Sequence, residues 1–272
     1  MGNKIVEGLS YITRKTQQIR PDIYMLDLRA VNAYMLKTGG EAWLLVDTGL
    51  ENSSEFIIDE ALKIFGERSR PEAIILTHGH FDHVGSLKAL TKHWDVPVYI
   101  HENELPYITG QKDYPLPDDT KGGGLITRMS DTFPHTAIDV GHYANALPKD
   151  NSIPYSGQWK WIFSPGHSEG HVSLFRESDR TLIAGDAIST VKQGSLWSVI
   201  AQSGTICGPP EYLTEDFDKA RESMEMLLSL DPVLLLPSHG RPVEAADLKA
   251  KSQYAATDER ESAYSPSESR ET

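Results

Sequence analysis

The segment ILTHGHFDHVG (75–85) determines both the fold class and the chemistry that this chain can support. It continues the apolar run AIILT (73–77), which is typical of a short buried strand. Four candidate metal ligands follow that run at once: His78, His80, Asp82 and His83. Imidazole and carboxylate groups are common zinc ligands, and a loop can present them from two sides of one turn. The segment predicts a metal site at a strand end, with the first two histidines on one ion and Asp82 and His83 directed at a second.

Three further candidate ligands occupy similar positions later in the chain. Each comes directly after an apolar run: His167 in SPGHSEGH (164–171), Asp186 in TLIAGDA (181–187) and His239 in VLLLPSHG (233–240). Loop residues at strand ends are where α/β proteins assemble their sites. Any one of the three would be explained as a structural loop residue, but together with residues 78–83 they predict a centre for two ions.

The apolar pattern around these loops predicts an α/β fold. Residues 22–47 carry three short apolar runs, which predict consecutive antiparallel strands. Helices are expected at 53–68, 84–94 and 215–230, and further strands at 96–101, 159–165, 171–176, 181–185 and 233–237. The first half of the chain is therefore expected to begin with antiparallel hairpins and to continue with a β-α-β arrangement.

Residues 110–157 lack this periodicity and predict a lid or insertion beside the site, because long irregular segments are often functional. The aromatic residues that could line an apolar pocket there, or equally pack the lid onto the fold, are Tyr114, Phe133, Tyr143 and, further on, Trp197. The stretch also holds His135 and His142, for which a solvated loop position is the simpler interpretation. We expect this segment to influence the choice of substrate and to leave the metal ligands intact.

The C-terminal residues 249–272 predict a disordered polar tail. They contain no Val, Ile, Leu, Met, Phe or Trp, so they have almost nothing to bury. Residues 1–248 are then expected to form one domain.

The composition disfavours several classes of partner. The chain of 272 residues has 26 Lys and Arg against 39 Asp and Glu, a net charge of −13, whereas nucleic-acid surfaces need basic groups. It has no apolar run long enough to span a membrane and no signal-peptide pattern. The single cysteine, Cys207, excludes an internal disulfide and fits a reducing compartment. We expect a cytoplasmic protein with a small-molecule substrate and no nucleic-acid or membrane partner; the oligomeric state stays open.

As a set, four motifs resemble the metallo-β-lactamase superfamily: THGHFDH (77–83), PGHSEGH (165–171), AGD (184–186) and SHG (238–240). The resemblance covers roughly residues 20–245. It is strongest to bacterial hydrolases of this fold without an assigned substrate, on the wording of residues 171–187 and 208–220. It implies an αβ/βα sandwich, in which two β-sheets are flanked by helices and the site lies at the edge between them.

The resemblance also implies how the ligands are shared. One zinc ion would be held by His78, His80 and His167, and the other by Asp82, His83 and His239. Asp186 would bridge both ions. Asp47, in VDTGL (46–50), matches a position that braces the ligand loop, and His171 matches a structural histidine that is not a ligand.

A centre of this kind is suited to hydrolysis. Two Zn²⁺ ions, two aspartates and a bridging hydroxide carry a net charge of about +1, which can bring the pKa of water near 7 and stabilise an oxyanion. The resemblance thus implies a dinuclear zinc hydrolase whose bridging hydroxide attacks an ester, lactone, thioester or related carbonyl compound. Asp82 and Asp186 are its implied catalytic carboxylates, and manganese or iron could replace zinc.

Single residues separate the branches of the superfamily. His80 stands where flavo-diiron O₂ reductases carry glutamate, and Ser189 stands where large acyl-homoserine lactonases carry tyrosine. No glutathione-binding region of the glyoxalase II type is found, and the net charge argues against tRNA processing. Two alternatives on the same fold are a mononuclear iron persulfide dioxygenase, which uses only His, His and Asp ligands, and a non-catalytic binding module. The complete set of seven ligand-type residues favours the two-ion hydrolase.

Overall fold

Two β-sheets packed face to face organise the part of the chain that the computed structural model describes, residues 14–67, 69–115, 134–191, 206–209 and 213–246. Helices cover the outer face of each sheet. Within these residues the αβ/βα prediction is confirmed.

The first sheet has seven strands in the described residues, and they follow one another in chain order. They are β1 (Lys15–Arg20), β2 (Ile23–Asp27), β3 (Asn32–Gly39), β4 (Ala42–Val46), β5 (Ala73–Ile75), β6 (Val98–Ile100) and β7 (Ala144–Ala146). The pairs from β1 to β4 are antiparallel, and those from β4 to β7 are parallel. The three strands predicted within 22–47 are confirmed as β2 to β4, whereas the mostly polar β1 was not predicted.

The second sheet has the order β13-β12-β11-β10-β9-β8 in the described residues. Its strands are β8 (Ser152–Ile153), β9 (Ser156–Phe163), β10 (Val172–Arg176), β11 (Thr181–Gly185), β12 (Leu234–Pro237) and β13 (Val243–Glu244). Only the β11–β12 pair is parallel in this described sheet, and the other pairs are antiparallel. The parallel strands end at the same edge, which gathers the loops that follow them.

Helices connect the parallel strands. They are α1 (Ser54–Phe65), α2 (Phe81–Val84), α3 (Leu87–Trp94), α4 (Leu105–Ile108) and α5 (Phe217–Ser229), with 3₁₀ turns at Glu51–Ser53, Glu102–Glu104 and Gly141–Tyr143. The helix predicted over 84–94 is divided into α2 and α3. Between them the Ser86 hydroxyl donates to the Leu50 carbonyl at 2.5 Å and accepts the Ser53 N–H at 3.0 Å. These bonds attach the helix pair to the start of α1.

Buried side chains in the described residues form three clusters, one at each interface between layers. Trp43 and Leu90 belong to the cluster between the first sheet and helices α1 and α3. Leu44 and Leu174 belong to the cluster between the two sheets, and Leu227 of α5 packs against the outer face of the second sheet. Each fully buried side chain of this size contributes about 1.5–3 kcal/mol, so the packed sheets fix the positions of the strand ends.

The prediction of an irregular stretch at 110–157 is wrong for its described C-terminal part. Strand β7 forms an edge of the first sheet and β8 an edge of the second. Leu147 and Ile153 are buried in the cluster between the sheets. Strands of two or three residues show no periodicity that a sequence pattern can reveal, which explains the error.

Several predictions concern residues outside the described ranges. The residues concerned are Phe133, Trp197 and those of the tail 249–272. The domain boundary at residue 248 therefore stays a prediction. Among the helices that are described, none has the length and apolar character needed to cross a membrane. The cytoplasmic location likewise stays a prediction.

Candidate metal centre

The loops after β5, β9, β11 and β12 meet at one edge between the sheets. They bring together all seven sequence-predicted ligands: His78, His80, Asp82, His83, His167, Asp186 and His239. Most of these side chains are buried; His80 is half-buried, and the Asp82 side chain is 17 % exposed. We call His78, His80 and His167 the three-histidine group, and Asp82, His83 and His239 the aspartate group.

In the three-histidine group, the ring nitrogens converge on one another. His80 Nδ1 lies 3.0 Å from His78 Nε2 and 2.9 Å from His167 Nε2. Burial, together with neighbouring histidines, holds the pKa of His78 and of His80 well below the usual range. The rings are therefore neutral, the form in which imidazole binds metal ions.

In the aspartate group, His239 Nε2 lies 3.4 Å from Asp82 Oδ2, and His83 Nε2 lies 3.8 Å from Asp82 Oδ1. Burial lowers the pKa of His83, but the Asp186, Asp82 and Asp47 carboxylates outweigh it and raise the pKa well above its usual value. The two groups thus differ in charge, since the aspartate group carries the carboxylates.

Asp186 contacts both groups. Its Oδ2 lies 3.2 Å from His167 Nε2 and 3.3 Å from His239 Nε2, and its Oδ1 lies 3.2 Å from His83 Nε2. Burial raises the pKa of Asp186, but His239, His83 and His167 lower it well below the usual value. Asp186 is therefore ionised between the groups.

His83 Nε2 and Asp186 Oδ1 are buried and lie 3.2 Å apart, but neither makes a hydrogen bond of good geometry with a described residue. Unpartnered buried polar atoms are rare because each costs about 1–3 kcal/mol. The contacts of 2.9–3.4 Å also match the spacing of about 3.3 Å between neighbouring ligands of a tetrahedral zinc ion. The donor set fits divalent cations.

Outer contacts fix the histidine tautomers. Asp47 Oδ2 accepts from His83 Nδ1 at 2.9 Å and from the Thr77 hydroxyl at 2.9 Å, and that hydroxyl lies 3.1 Å from His78 Nδ1. His239 Nδ1 donates to the Ala30 carbonyl at 2.7 Å. In each case the Nε2 atom is left available to bind an ion. These contacts agree with the bracing role expected of Asp47.

His171 uses both ring nitrogens within the protein. Nδ1 donates to the Ser164 carbonyl at 3.0 Å, and Nε2 accepts the Asp186 N–H at 2.9 Å. Gly185 has φ 58°, and a Cβ there would lie 2.5 Å from His171 Nε2. Burial lowers the pKa of His171 to about 3. The ring is a neutral support for the backbone of Asp186, which agrees with the expectation that it is not a ligand.

The mouth of the centre is a small cavity of about 20 Å³. Its lining residues are His80, Phe81, Tyr114, Pro115, Pro134, His135 and Leu213. His135 therefore lies beside the site and not in a purely solvated loop, and its Nδ1 is buried without a described partner. Tyr143 lies elsewhere, because its hydroxyl donates to Asp95 at the end of α3.

Glu104 is a buried charged residue beside the centre that was not predicted from the sequence. It follows β6, so the strand-end rule that located the ligands also applies to it. Its carboxylate accepts the Gly79 N–H, inside the ligand loop, and the Gly170 N–H, inside the loop of His167.

Comparison with known proteins agrees with this geometry. Residues 26–239 match the family model of the metallo-beta-lactamase superfamily. The chain belongs to this superfamily. It is 42 % identical over 230 residues to the probable metallo-hydrolase YflN of Bacillus subtilis (strain 168), covering 84 % of this chain and 87 % of that protein. It is 30 % identical over 213 residues to the probable metallo-hydrolase YybB of the same organism, covering 78 % and 82 %.

Solved structures show the same fold at low identity. The BLEG-1 B3 metallo-beta-lactamase superposes with a TM-score of 0.60 at 21 % identity, covering 89 % of this chain and 99 % of that one. TTHA1623, in a di-iron-bound form, superposes with a TM-score of 0.58 at 23 % identity, covering 88 % and 98 %. These structures show the fold, and the family model with the curated relatives identifies the chain as a metal-dependent hydrolase of the superfamily.

Proposed function

We propose that this chain is a dinuclear zinc hydrolase that cleaves an ester, lactone, thioester or related carbonyl bond in a small molecule. The observation that carries the proposal is the contact of one ionised carboxylate, Asp186, with histidines of both groups at 3.2–3.3 Å. A carboxylate in that position screens the repulsion between two cations about 3.5–4 Å apart.

The three-histidine group would hold one zinc ion and the aspartate group the other, with Asp186 binding both. When bound, such ions bring the pKa of water near 7 and polarise a carbonyl oxygen. Zinc is preferred because five of the seven candidate ligands are imidazoles and the other two are carboxylates. Manganese or iron could occupy the same ligands.

Within this proposal Asp186 and Asp82 have different roles. Asp186 is 5 % exposed and faces histidines of both groups, so its role is to hold the centre together. Asp82 is 17 % exposed and stands closer to solvent. Its carboxylate is the better placed to accept the proton of the attacking water and return it to the leaving group.

The lining of the mouth supports a carbonyl substrate with an apolar portion. Phe81, Pro115, Pro134 and Leu213 present apolar surface beside His80. Among the described lining residues there is no Lys or Arg to bind a phosphate group. The net charge of −13 likewise disfavours phosphodiester substrates.

The test combines metal analysis with a substrate screen. Protein purified without added metal is expected to contain two zinc ions per chain and to hydrolyse esters, lactones or thioesters in preference to phosphodiesters. A β-lactam is included in the screen as a further carbonyl substrate. One iron per chain with O₂ consumption on glutathione persulfide would instead support the dioxygenase.

A further inference from the structure

Glu104 is a completely buried carboxylate that is outside the ligand set. It ends the 3₁₀ turn after β6 and precedes α4, but its side chain does not cap that helix. Its four partners are all hydrogen-bond donors. Oε1 accepts from the Ser168 hydroxyl and the Gly170 N–H, each at 2.8 Å, and Oε2 accepts from the Gly79 N–H at 3.1 Å and from the Tyr114 hydroxyl.

Each oxygen of Glu104 therefore receives two donors. A buried carboxylate is stable only when such donors replace its lost water. The ionised form accepts hydrogen bonds and donates none, which matches these four partners. The pocket around Glu104 is built for a negative charge.

The partners of Glu104 belong to the two loops that supply the three-histidine group. Gly79 lies between His78 and His80, and Ser168 directly follows His167. His80 and His167 are 87 residues apart in the sequence, yet their ring nitrogens lie 2.9 Å apart. One carboxylate thus joins the backbones that carry these two rings.

Glycines in both loops allow this close approach. A Cβ on Gly79 would lie 2.7 Å from the Tyr114 hydroxyl and 3.4 Å from Glu104 Oε2. A Cβ on Gly170 would lie 2.6 Å from Glu104 Cγ. Since real Cβ atoms essentially never approach within 3.0 Å, a side chain at position 79 would displace Tyr114, and one at position 170 would displace Glu104.

Tyr114 connects the mouth of the site to the same carboxylate. Its hydroxyl donates to Glu104 and accepts the Gly79 N–H at 2.9 Å. Its ring lies 4.5 Å from the His80 ring and stacks on Tyr107 at 3.8 Å. Tyr114 therefore contacts both the support of the His80 loop and the His80 ring.

The aspartate group is supported differently. His83 donates to Asp47, and His239 donates to the Ala30 carbonyl. Among the hydrogen bonds of the described residues, none joins Glu104 to a side chain of this group.

We propose that Glu104 is a positioning residue for the ion of the three-histidine group: it fixes the distance between His80 and His167 and thereby sets the affinity of that ion alone. This inference rests on the proposed two-ion function. Tyr114 and Ser168 are its side-chain partners in that role. The ion of the aspartate group is independent of Glu104.

The test is a Co²⁺ titration of metal-free full-length protein. It is monitored by visible absorption and by proton NMR of the imidazole signals that bound Co²⁺ shifts. In Glu104→Gln an amide NH₂ replaces one acceptor and faces donors, so the carboxylate site is disrupted at nearly constant volume. We expect the three-histidine ion to bind about 10- to 100-fold more weakly. The signals of His83 and His239 should appear at wild-type Co²⁺ concentrations.

Two milder variants keep the proposal testable if Glu104→Gln does not fold. Tyr114→Phe and Ser168→Ala each remove one donor and retain the carboxylate, so each should weaken the same ion by a smaller factor. Arg176→Gln is the matched control. It removes a buried ionic group, bound to Asp22 and Asp179 at the far end of β10, and should leave both Co²⁺ affinities unchanged.

The outcomes separate the inference from the proposed function. Wild-type affinity for both ions in Glu104→Gln overturns the inference and leaves the two-ion proposal intact. Equal weakening of both ions, in parallel with a lower Tm of the metal-free protein, also overturns it, because Glu104 would then be a general structural residue. If the wild type binds a single ion, the two-ion proposal fails. The inference then fails as well if Glu104→Gln binds that ion normally.

Discussion

The three-histidine group and the aspartate group lie side by side but differ in their side chains: the first has imidazoles alone, and the second combines a carboxylate with imidazoles. The first consists of imidazoles, and burial is the chief cause that lowers the pKa values of His78 and His80. The second contains a carboxylate, and at His83 the surrounding carboxylates overcome burial and raise the pKa. One sheet edge thus presents two different candidate metal environments, each supported by its own outer contacts.

The supports differ as clearly as the ligands. Glu104 joins the loops of the three-histidine group through backbone N–H groups. Asp47 acts on the aspartate group through the ring of His83, and reaches His78 only through the Thr77 hydroxyl. Asp186 is the residue that contacts histidines of both groups. Variants at these positions should therefore separate the two environments.

The largest effect is expected from Asp186→Ala, which removes the contact common to both groups. Each ion loses a ligand, and the two cations are no longer screened from each other, so both should bind weakly. We expect activity to fall more than about 100-fold and Tm to drop, because metal binding stabilises the folded state. Metal content, kcat and Tm are the measurements. Two retained ions with full turnover would contradict the assignment.

Asp47→Asn should affect one environment more than the other. The carboxylate accepts from His83 and the Thr77 hydroxyl at Oδ2 and from the Thr77 N–H at Oδ1, whereas an asparagine would place its NH₂ against one of these donors, so the His83 ring is less well oriented. We expect the ion of the aspartate group to bind about 10- to 100-fold more weakly, with a smaller change at the three-histidine group. Competition with a chelator measures both affinities.

Asp27→Asn is the matched control for this variant. Asp27 is also a buried aspartate, but its Oδ1 accepts the Arg29 N–H and contacts no ligand. Its metal affinities should equal those of the wild type. A similar loss in Asp27→Asn and Asp47→Asn would mean that Asp47 acts through general stability.

The seven candidate ligands, which the structure brings together, could be located in the sequence because each follows an apolar strand and belongs to a short motif. Glu104 also follows a strand, but HENELPYI (101–108) has no motif that would single it out, and the backbone groups that bind Glu104 are 25 and 66 residues away. The large strands were predicted from their apolar runs. The short strands β7 and β8 were not, since their structure comes from pairing with a long neighbour.

His171→Ala should produce a smaller and different effect. The ligands remain, but the Asp186 N–H loses its buried acceptor, which costs about 1–3 kcal/mol of stability. Since Asp186 contacts both groups, we expect both ions to stay bound while kcat falls about 10-fold. Loss of one ion specifically would instead assign His171 to that ion.

The smallest effects are expected from Leu213→Ala, at the mouth, and from Phe133→Ala, which should change substrate binding and leave both environments intact. Leu213 lines the cavity beside His80, whereas Phe133 belongs to the 110–157 segment that we expect to influence substrate choice. Shortening Leu213 removes apolar surface worth about 1 kcal/mol, so KM for an apolar substrate should rise about fivefold. An interaction made equally in the ground and transition states changes KM and not kcat.

Tyr143→Phe is the control, because its hydroxyl contacts Asp95 and not the site. Metal content, kcat and KM distinguish the cases: metal loss in either variant would mean that the altered residue supports the candidate ligands, and unchanged KM in both would place the substrate elsewhere.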